Sequence, residues 1–230
     1  ALGSPSDTTK RRAEERCEAI SEEIAALKAD VLLISEGPRG EERARAFFDR
    51  VAPEYALVVR DGEPAAAYGI LGGSQWLWFL VRKAAPVEAR LMHLDRWRTA
   101  TERASRGDHK SGRWDVSYPL INKASGVLEF SVPERHSHYR QPQLLQVVSD
   151  GCYFEIIGSH LKSKFTGVRP QGDPMEADFF ANNHALVADI IKSRTKLTTE
   201  CADIRHYVEA RFDEDEDAAV ILAGDLNDGP

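Results

Sequence analysis

AAVILAGDLND, residues Ala218 to Asp228, is an apolar run that breaks abruptly into small polar residues. Gly, Asp and Asn favour turns on their own account, so this stretch alone reads as a strand followed by a turn. Two other apolar runs end in the same manner. ADVLLISEG, Ala29 to Gly37, delivers Glu36, and YFEIIGSHLKSKF, Tyr153 to Phe165, delivers His160 followed by Lys162 and Lys164. The third run delivers Asp225, with Asn227 two residues on. Each residue alone has an ordinary structural reading as a turn carboxylate, a buried histidine or a turn amide. Together they place a carboxylate, an imidazole, a second carboxylate and an amide at the carboxyl ends of strands, where α/β enzymes gather their active sites. Such a set suits a hard cation and a phosphate, because Mg²⁺ takes one or two carboxylates and fills its remaining positions with water or substrate oxygens.

Outward from these runs the pattern is mixed. Ala13, Cys17, Ile20, Ile24 and Leu27 form one apolar stripe at helical spacing, and a short helix is expected over Glu41 to Val51. YALVVR, the DGEP turn and AAAYGIL read as a hairpin, and QWLWFLVR as a further strand. Residues 84–113 are charged and weakly periodic and read as an insertion or loop. Strands are expected at WDVSYPLI, GVLEFSV and QLLQVV, with Asp150-Gly151 turning tightly into the His160 strand. From Glu176 to about Arg211 the periodicity is helical, as one long helix or two, and DEDED at 213–217 is a solvated acidic loop. Hairpins and long helices in this order are not the regular alternation of a doubly wound fold. With no internal repeat and no linker, one domain over residues 1–230 is the simplest organisation.

The three blocks ADVLLISEG, GSHLKSKF and ILAGDLND, with YRQPQLLQVV before the second, resemble the endonuclease/exonuclease/phosphatase superfamily, which includes deoxyribonuclease-I-like nucleases and inositol polyphosphate phosphatases. The blocks span Asp30 to Asp228. The resemblance implies an α/β fold of the α+β type: a four-layer sandwich of two mixed β-sheets face to face, flanked by helices. It implies metal-dependent hydrolysis of phosphoesters. Glu36 would ligate Mg²⁺, or Mn²⁺ in its place. His160 would stabilise charge building on the phosphate, Asp225 would orient or deprotonate the attacking water, and Asn227 would help position both. Arg140 would contact a phosphate, and one of Lys162 and Lys164 would do so too, unless both are solvated. Gln75 falls where deoxyribonucleases carry a glutamate that supports the histidine. An amide there can still hydrogen-bond His160 but cannot raise its pKa as a carboxylate does. The resemblance also implies an earlier strand and further C-terminal strands, so the chain is expected to be incomplete at both ends.

Composition narrows the partners. With 42% hydrophobic and 29% charged residues the chain has ordinary globular composition, and no apolar run is long enough to cross a bilayer, so no membrane partner is expected. A net charge of −7 argues against nonspecific coating of nucleic acid, yet a local basic groove can coexist with it. The expected partner is nucleic acid or a small phosphoester such as an inositol phosphate or lipid headgroup. A binding module that keeps the fold without catalysis is the alternative. Trp76, Trp78, Trp97 and Trp114 are candidates for base stacking, although Trp76 and Trp78 alternate on one strand face as core residues do. Residues 96–114 are basic and read as a nucleic-acid-facing insertion or a solvated loop. His136 and His138, beside Arg135 and Arg140, are candidates to line the cleft. Cys17 and Cys201 read as small core residues in helices, and the three cysteines form neither a metal knuckle nor a disulfide framework. The cytoplasm is the default compartment, with secretion left open because the N-terminus reads as truncated.

Overall fold

The computed structural model describes residues 7–60, 75–102, 113–122, 124–163 and 166–227. Helix α1 (Asp7–Leu27) leads into β1 (Val31–Gly37), α2 (Glu41–Val51), β2 (Tyr55–Val58), β3 (Trp76–Arg82), β4 (Val87–Leu91) and α3 (Leu94–Glu102). Four short strands follow: β5 (Trp114–Val116), β6 (Pro119–Ile121), β7 (Leu128–Phe130) and β8 (Glu134–His136). The chain then forms β9 (Gln143–Ser149), β10 (Cys152–His160), α4 (Phe179–Asn182), α5 (His184–Glu214) and β11 (Val220–Asp225).

Two sheets carry the architecture, one ordered β1-β3-β2 and the other β11-β10-β9-β4. The described strands of the first pair only antiparallel. The second is mixed, because β10 and β11 run parallel while β9 pairs antiparallel with both β10 and β4. A parallel pair needs a long crossover, and α5 supplies it. At the other end of β10 the step from β9 is tight: Asp150 and Gly151 both have positive φ, 50° and 77°, as a two-residue hairpin turn requires.

Three apolar interfaces stack the layers. Phe79, Val31 and Leu33 of the first sheet meet Leu145, Val147 and Ile156 of the second. On the outer face of the first sheet, Leu32, Trp76, Trp78 and Leu80 pack against Ile24 of α1 and Ala44, Phe48 and Val51 of α2. On the outer face of the second, Leu144 and Ile157 pack against Trp97 of α3 and Leu197, Ile204 and Tyr207 of α5. Alternate residues of β3 and of β10 therefore feed opposite interfaces. That is why VLLIS and WLWFLV are continuous apolar runs: strands covered on both faces need no polar side. The result is a four-layer sandwich with helices outside.

Glycine sets how closely the sheets approach. A Cβ at Gly158 would lie 2.8 Å from Phe79 and 3.0 Å from Leu33. At Gly224, with φ of +128°, a Cβ would lie 1.9 Å from the Ser159 carbonyl oxygen.

Several expectations are corrected. The charged stretch expected to be an insertion contains β4, which pairs with β9, and α3, which buries Trp97. An edge strand and a nine-residue helix carry few apolar positions each, so neither stands out in the sequence. WDVSYPLI is two strands, because β5 pairs with β8 and β6 with β7 in separate two-stranded sheets. All four tryptophans are buried, with Trp114 the most exposed at 9%, so none offers a face to a base. Cys201 is exposed rather than in the core, while Cys17 packs at the edge of the α1 interface. Within the α1 stripe, Ala13 and Leu27 are exposed and Ile24 is buried. The DGEP turn, AAAYGIL and Lys164 lie outside the described residues.

Candidate active site

Parallel pairing of β10 with β11 puts His160 directly opposite Asp225 at the carboxyl ends of both strands. The backbone continues the link, since Leu161 N–H donates to the Asp225 carbonyl at 3.0 Å. Beyond the strand, Asn227 N–H donates to Asp225 Oδ1 at 2.9 Å, and the Asn227 amide donates to the Leu161 carbonyl at 2.8 Å. Asn227 thus ties the two strand ends together, in a left-handed conformation with φ of 53°. Glu36 arrives from the other sheet. It too has a positive φ, 62°, and the β1–β3 register slips between Ile34 and Gly37. A bulge of this kind bends a strand and re-aims a side chain, and non-glycine residues at positive φ gather where the surrounding structure over-determines them.

Glu36 Oε1 lies 3.8 Å and Asp225 Oδ2 3.6 Å from the same atom, His160 Nε2. The imidazole side chain is 3% exposed, whereas the two carboxylates are about half exposed, at 52% and 53%. Burial, and then the positive charge of Arg140, push the His160 pKa below its ordinary value despite the attraction of Asp225 and Glu36. This shift favours the neutral ring, and its buried Nδ1 has no hydrogen-bond partner among the described residues. Arg140, on the segment entering β9, reaches to 3.8 Å from Glu36 Oε1. Its guanidinium lies 5.0 Å from the centroid of the Tyr139 ring and donates to the side-chain oxygen of Gln75. Gln75 thus orients Arg140, and among the described residues no hydrogen bond joins it to His160, a correction to its expected support of the histidine.

Lys162 sits two residues beyond His160. Its backbone N–H donates to Glu200 Oε2 at 2.6 Å and its amine to the Ser163 carbonyl at 2.5 Å. Glu200, 1% exposed, also meets His136 Nε2 at 2.9 Å. One helical turn on, Asp203 meets His138 Nε2 at 2.7 Å and accepts from Trp97 Nε1 at 3.1 Å. His136 and His138 are each fastened to a carboxylate of α5, and both line a cavity together with Arg135, Arg140, Lys162 and Lys196. Glu200 and Asp203 were missed in the sequence although a signal was present. They interrupt the Leu197, Ile204, Tyr207 stripe, and a charge inside a buried stripe demands a partner.

The donors present fit a hard cation held by few protein ligands. Two half-exposed carboxylates flank one imidazole nitrogen, but among the described residues no group of three or more His, Cys, Asp and Glu is placed to hold a metal ion, so a cation here would rest on one or two carboxylates. Mg²⁺ asks for one or two carboxylates and an open remainder.

The class these features define is a four-layer α/β sandwich with a polar cluster at the carboxyl ends of β1, β10 and β11, as the superfamily resemblance implies for the fold. Among solved structures, the chain is similar to TDP2 from Caenorhabditis elegans, with 15% identity and a TM-score of 0.46 over 94% of this chain and 43% of that one. It is similar to a humanized D. rerio TDP2 at 14% identity and TM-score 0.42, covering 93% of this chain and 59% of that one. The human Nocturnin catalytic domain with bound sulfate aligns at 14% identity and TM-score 0.39, covering 94% and 58%. The chain thus spans about half the length of the structures it resembles. No protein-family profile and no curated protein matches it.

Proposed function

We propose that these residues form the catalytic face of a divalent-metal-dependent phosphodiester hydrolase of nuclease type. The observation that carries this reading is the convergence of Glu36, from one sheet, and Asp225, from the other, on the Nε2 of a buried His160.

Glu36 would hold Mg²⁺ or Mn²⁺, with Asp225 close enough to take part. A divalent cation bound there neutralises phosphate oxygens and developing charge, contributing several kcal/mol. Asp225 is half exposed and accepts a hydrogen bond from the Asn227 backbone, which fixes one oxygen and leaves Oδ2 toward His160. Such a carboxylate can align a water and receive its proton. Asn227 holds the Asp225 loop in register with Leu161. Burial favours neutral His160, which can donate one N–H to an oxygen that gains charge in the transition state. Arg140, steered by Gln75 and the Tyr139 ring, supplies a fork that matches a phosphate, and Lys162 adds a point charge. The substrate is nucleic acid or a small phosphoester. No described helix is long and apolar enough to cross a membrane.

The test is hydrolysis of plasmid DNA and of a chromogenic phosphodiester by the full-length protein, with Mg²⁺ and with chelator, beside Asp225→Ala. Cleavage that needs metal and disappears in the variant supports the reading. Absence of both turnover and Mg²⁺ binding would overturn it in favour of a binding module.

A further inference from the structure

Glu200 lies inside the apolar stripe of α5, between Leu197 and Ile204, and is 1% exposed. A buried carboxylate is costly unless its oxygens are partnered, and an apolar residue of similar volume often serves stability as well or better. Stability alone therefore does not call for a carboxylate here.

Its two oxygens go to two different segments. Oε1 meets His136 Nε2, on β8, at 2.9 Å. Oε2 accepts the backbone N–H of Lys162 at 2.6 Å, and His138 Nδ1 stands 4.0 Å from the same oxygen. His136 and His138 belong to the segment that runs on to Arg140, and Lys162 follows His160 by two residues. One carboxylate thus spans the two segments that bring Arg140 and His160 to the site. Its negative charge acts to raise the pKa of Lys162, Arg140 and His160 alike, as expected of a group set among all three.

The contact with Lys162 is to backbone, so it fixes where the chain runs and not which side chain it carries. Three hydrogen bonds hold the chain just past His160. Leu161 N–H donates to the Asp225 carbonyl at 3.0 Å, and the Leu161 carbonyl accepts from the Asn227 amide at 2.8 Å. Both of these lead to the end of β11. The third, from Lys162 N–H to Glu200, leads to α5. Without it the strand end is tied on one side, and a backbone donor next to fully packed Leu161 loses its partner.

We propose that Glu200 is a positioning residue: by holding the Lys162 N–H against α5 while gripping His136, it fixes the end of β10 so that His160 Nε2 meets Glu36 and Asp225. The inference rests on the hydrolase reading of that site. Glu200 acts through the backbone and not on the substrate.

Two conservative variants of the full-length protein separate position from charge. Glu200→Gln keeps the side-chain length and an oxygen for the Lys162 N–H, and its amide nitrogen can donate to His136 Nε2 once that ring carries its proton on Nδ1. Glu200→Asp keeps the charge but draws the carboxylate back by one methylene. A displacement of about 1 Å near a reacting centre can cost about a hundredfold in rate, so Glu200→Asp is expected to lower kcat for phosphodiester hydrolysis about ten- to a hundredfold, with KM changed far less. Glu200→Gln should retain most of the wild-type kcat. Glu155→Gln is the structural comparator, because Glu155 also ties α5 to β10, through Tyr207 and Arg211 and not through the strand end. At a temperature where all variants are folded, its kcat should match that of the wild type. Wild-type kcat in Glu200→Asp, a fall in Glu200→Gln as large as in Glu200→Asp, or an equal fall in Glu155→Gln each overturns the proposal. Hydrogen exchange over residues 157–163 needs no turnover. Glu200→Asp should speed exchange of the Lys162 amide about tenfold, as loss of one hydrogen bond to a charged group does, and Glu200→Gln should leave it as in the wild type. Should the wild type hydrolyse no phosphodiester, the hydrolase reading fails separately and exchange alone judges the clamp: equal rates in all three proteins, or faster exchange in Glu200→Gln, overturn it.

Discussion

Gly158→Ala tests whether the site is assembled across two closely packed sheets. Gly158 lies on β10, two residues before His160, and faces the first sheet. The added methyl would stand 2.8 Å from Phe79 Cζ, 3.0 Å from Phe79 Cε2 and 3.0 Å from Leu33 Cδ1. Carbon atoms rest at about 3.5–4.0 Å, so each contact is short by at least half an ångström. Phe79 and Leu33 are held in a packed interface with Leu145, Val147 and Ile156 and have little room to withdraw. Overpacking of this kind costs about 1–3 kcal/mol. For a chain of this size that lowers Tm by roughly 2–10 °C. The sheets must part, and Glu36 belongs to one while His160 and Asp225 belong to the other. A shift of about 1 Å at a reacting centre can cost about a hundredfold in rate, so activity is expected to fall more than stability alone explains. The assay pairs urea denaturation with phosphodiester hydrolysis at a temperature where the variant is folded. Gly167→Ala is the control, because a Cβ there meets nothing within 4 Å. A Gly158→Ala protein as stable and as active as Gly167→Ala would refute the packing that brings Glu36 to His160.

Gly224→Ala is expected to be more severe, costing about 3 kcal/mol or more, because the Cβ collides with backbone and the positive φ disfavours any side chain. Its thermal unfolding midpoint should lie well below that of Gly158→Ala. Glu155, fully buried on β10, accepts from Tyr153 at 2.6 Å, Tyr207 at 2.8 Å and Arg211 at 3.1 Å, and so fastens α5 to the second sheet. Glu155→Gln removes the buried carboxylate of Arg211, leaving it the half-exposed Glu214 at 2.6 Å, and should cost about 1.5–3 kcal/mol in urea denaturation at pH 7. Burial raises the Glu155 carboxyl pKa, but the two tyrosine hydrogen bonds and the charges of Arg211 and Arg96 outweigh it, so the folded value lies below the ordinary one. Its contribution is therefore present above an unfolded pKa of about 4.3 and is lost as pH falls through the lower folded value. The wild type should lose stability across that acid window and Glu155→Gln should lose less; parallel pH profiles would contradict the assignment.

Much of the molecule is legible in the sequence alone. Strands buried on both faces must be apolar throughout, so VLLIS and WLWFLV announce themselves; VILA is equally apolar although Ile221 and Leu222 are exposed, and each run ends where a polar residue begins. Such strand ends pick out Glu36, His160 and Asp225 as candidates, although polar Glu155 and Ser159 lie buried within β10 itself. Other features depend on neighbours distant in the chain. Strand β4 is half polar and becomes a strand only because β9 offers it an edge. The cysteine at position 201 sits at a helical spacing that permits burial, and the way α5 rotates against the sheet exposes it instead. Among the described residues Gln75 hydrogen-bonds Arg140 and not His160, since partners 65 residues apart are chosen by packing and not by spacing. The basic cavity is decided the same way. Arg135, Lys162 and Lys196 are separate surface-type residues in the sequence, and only the folded chain stacks their charges around one space, because charge has no periodicity that a one-dimensional pattern can record.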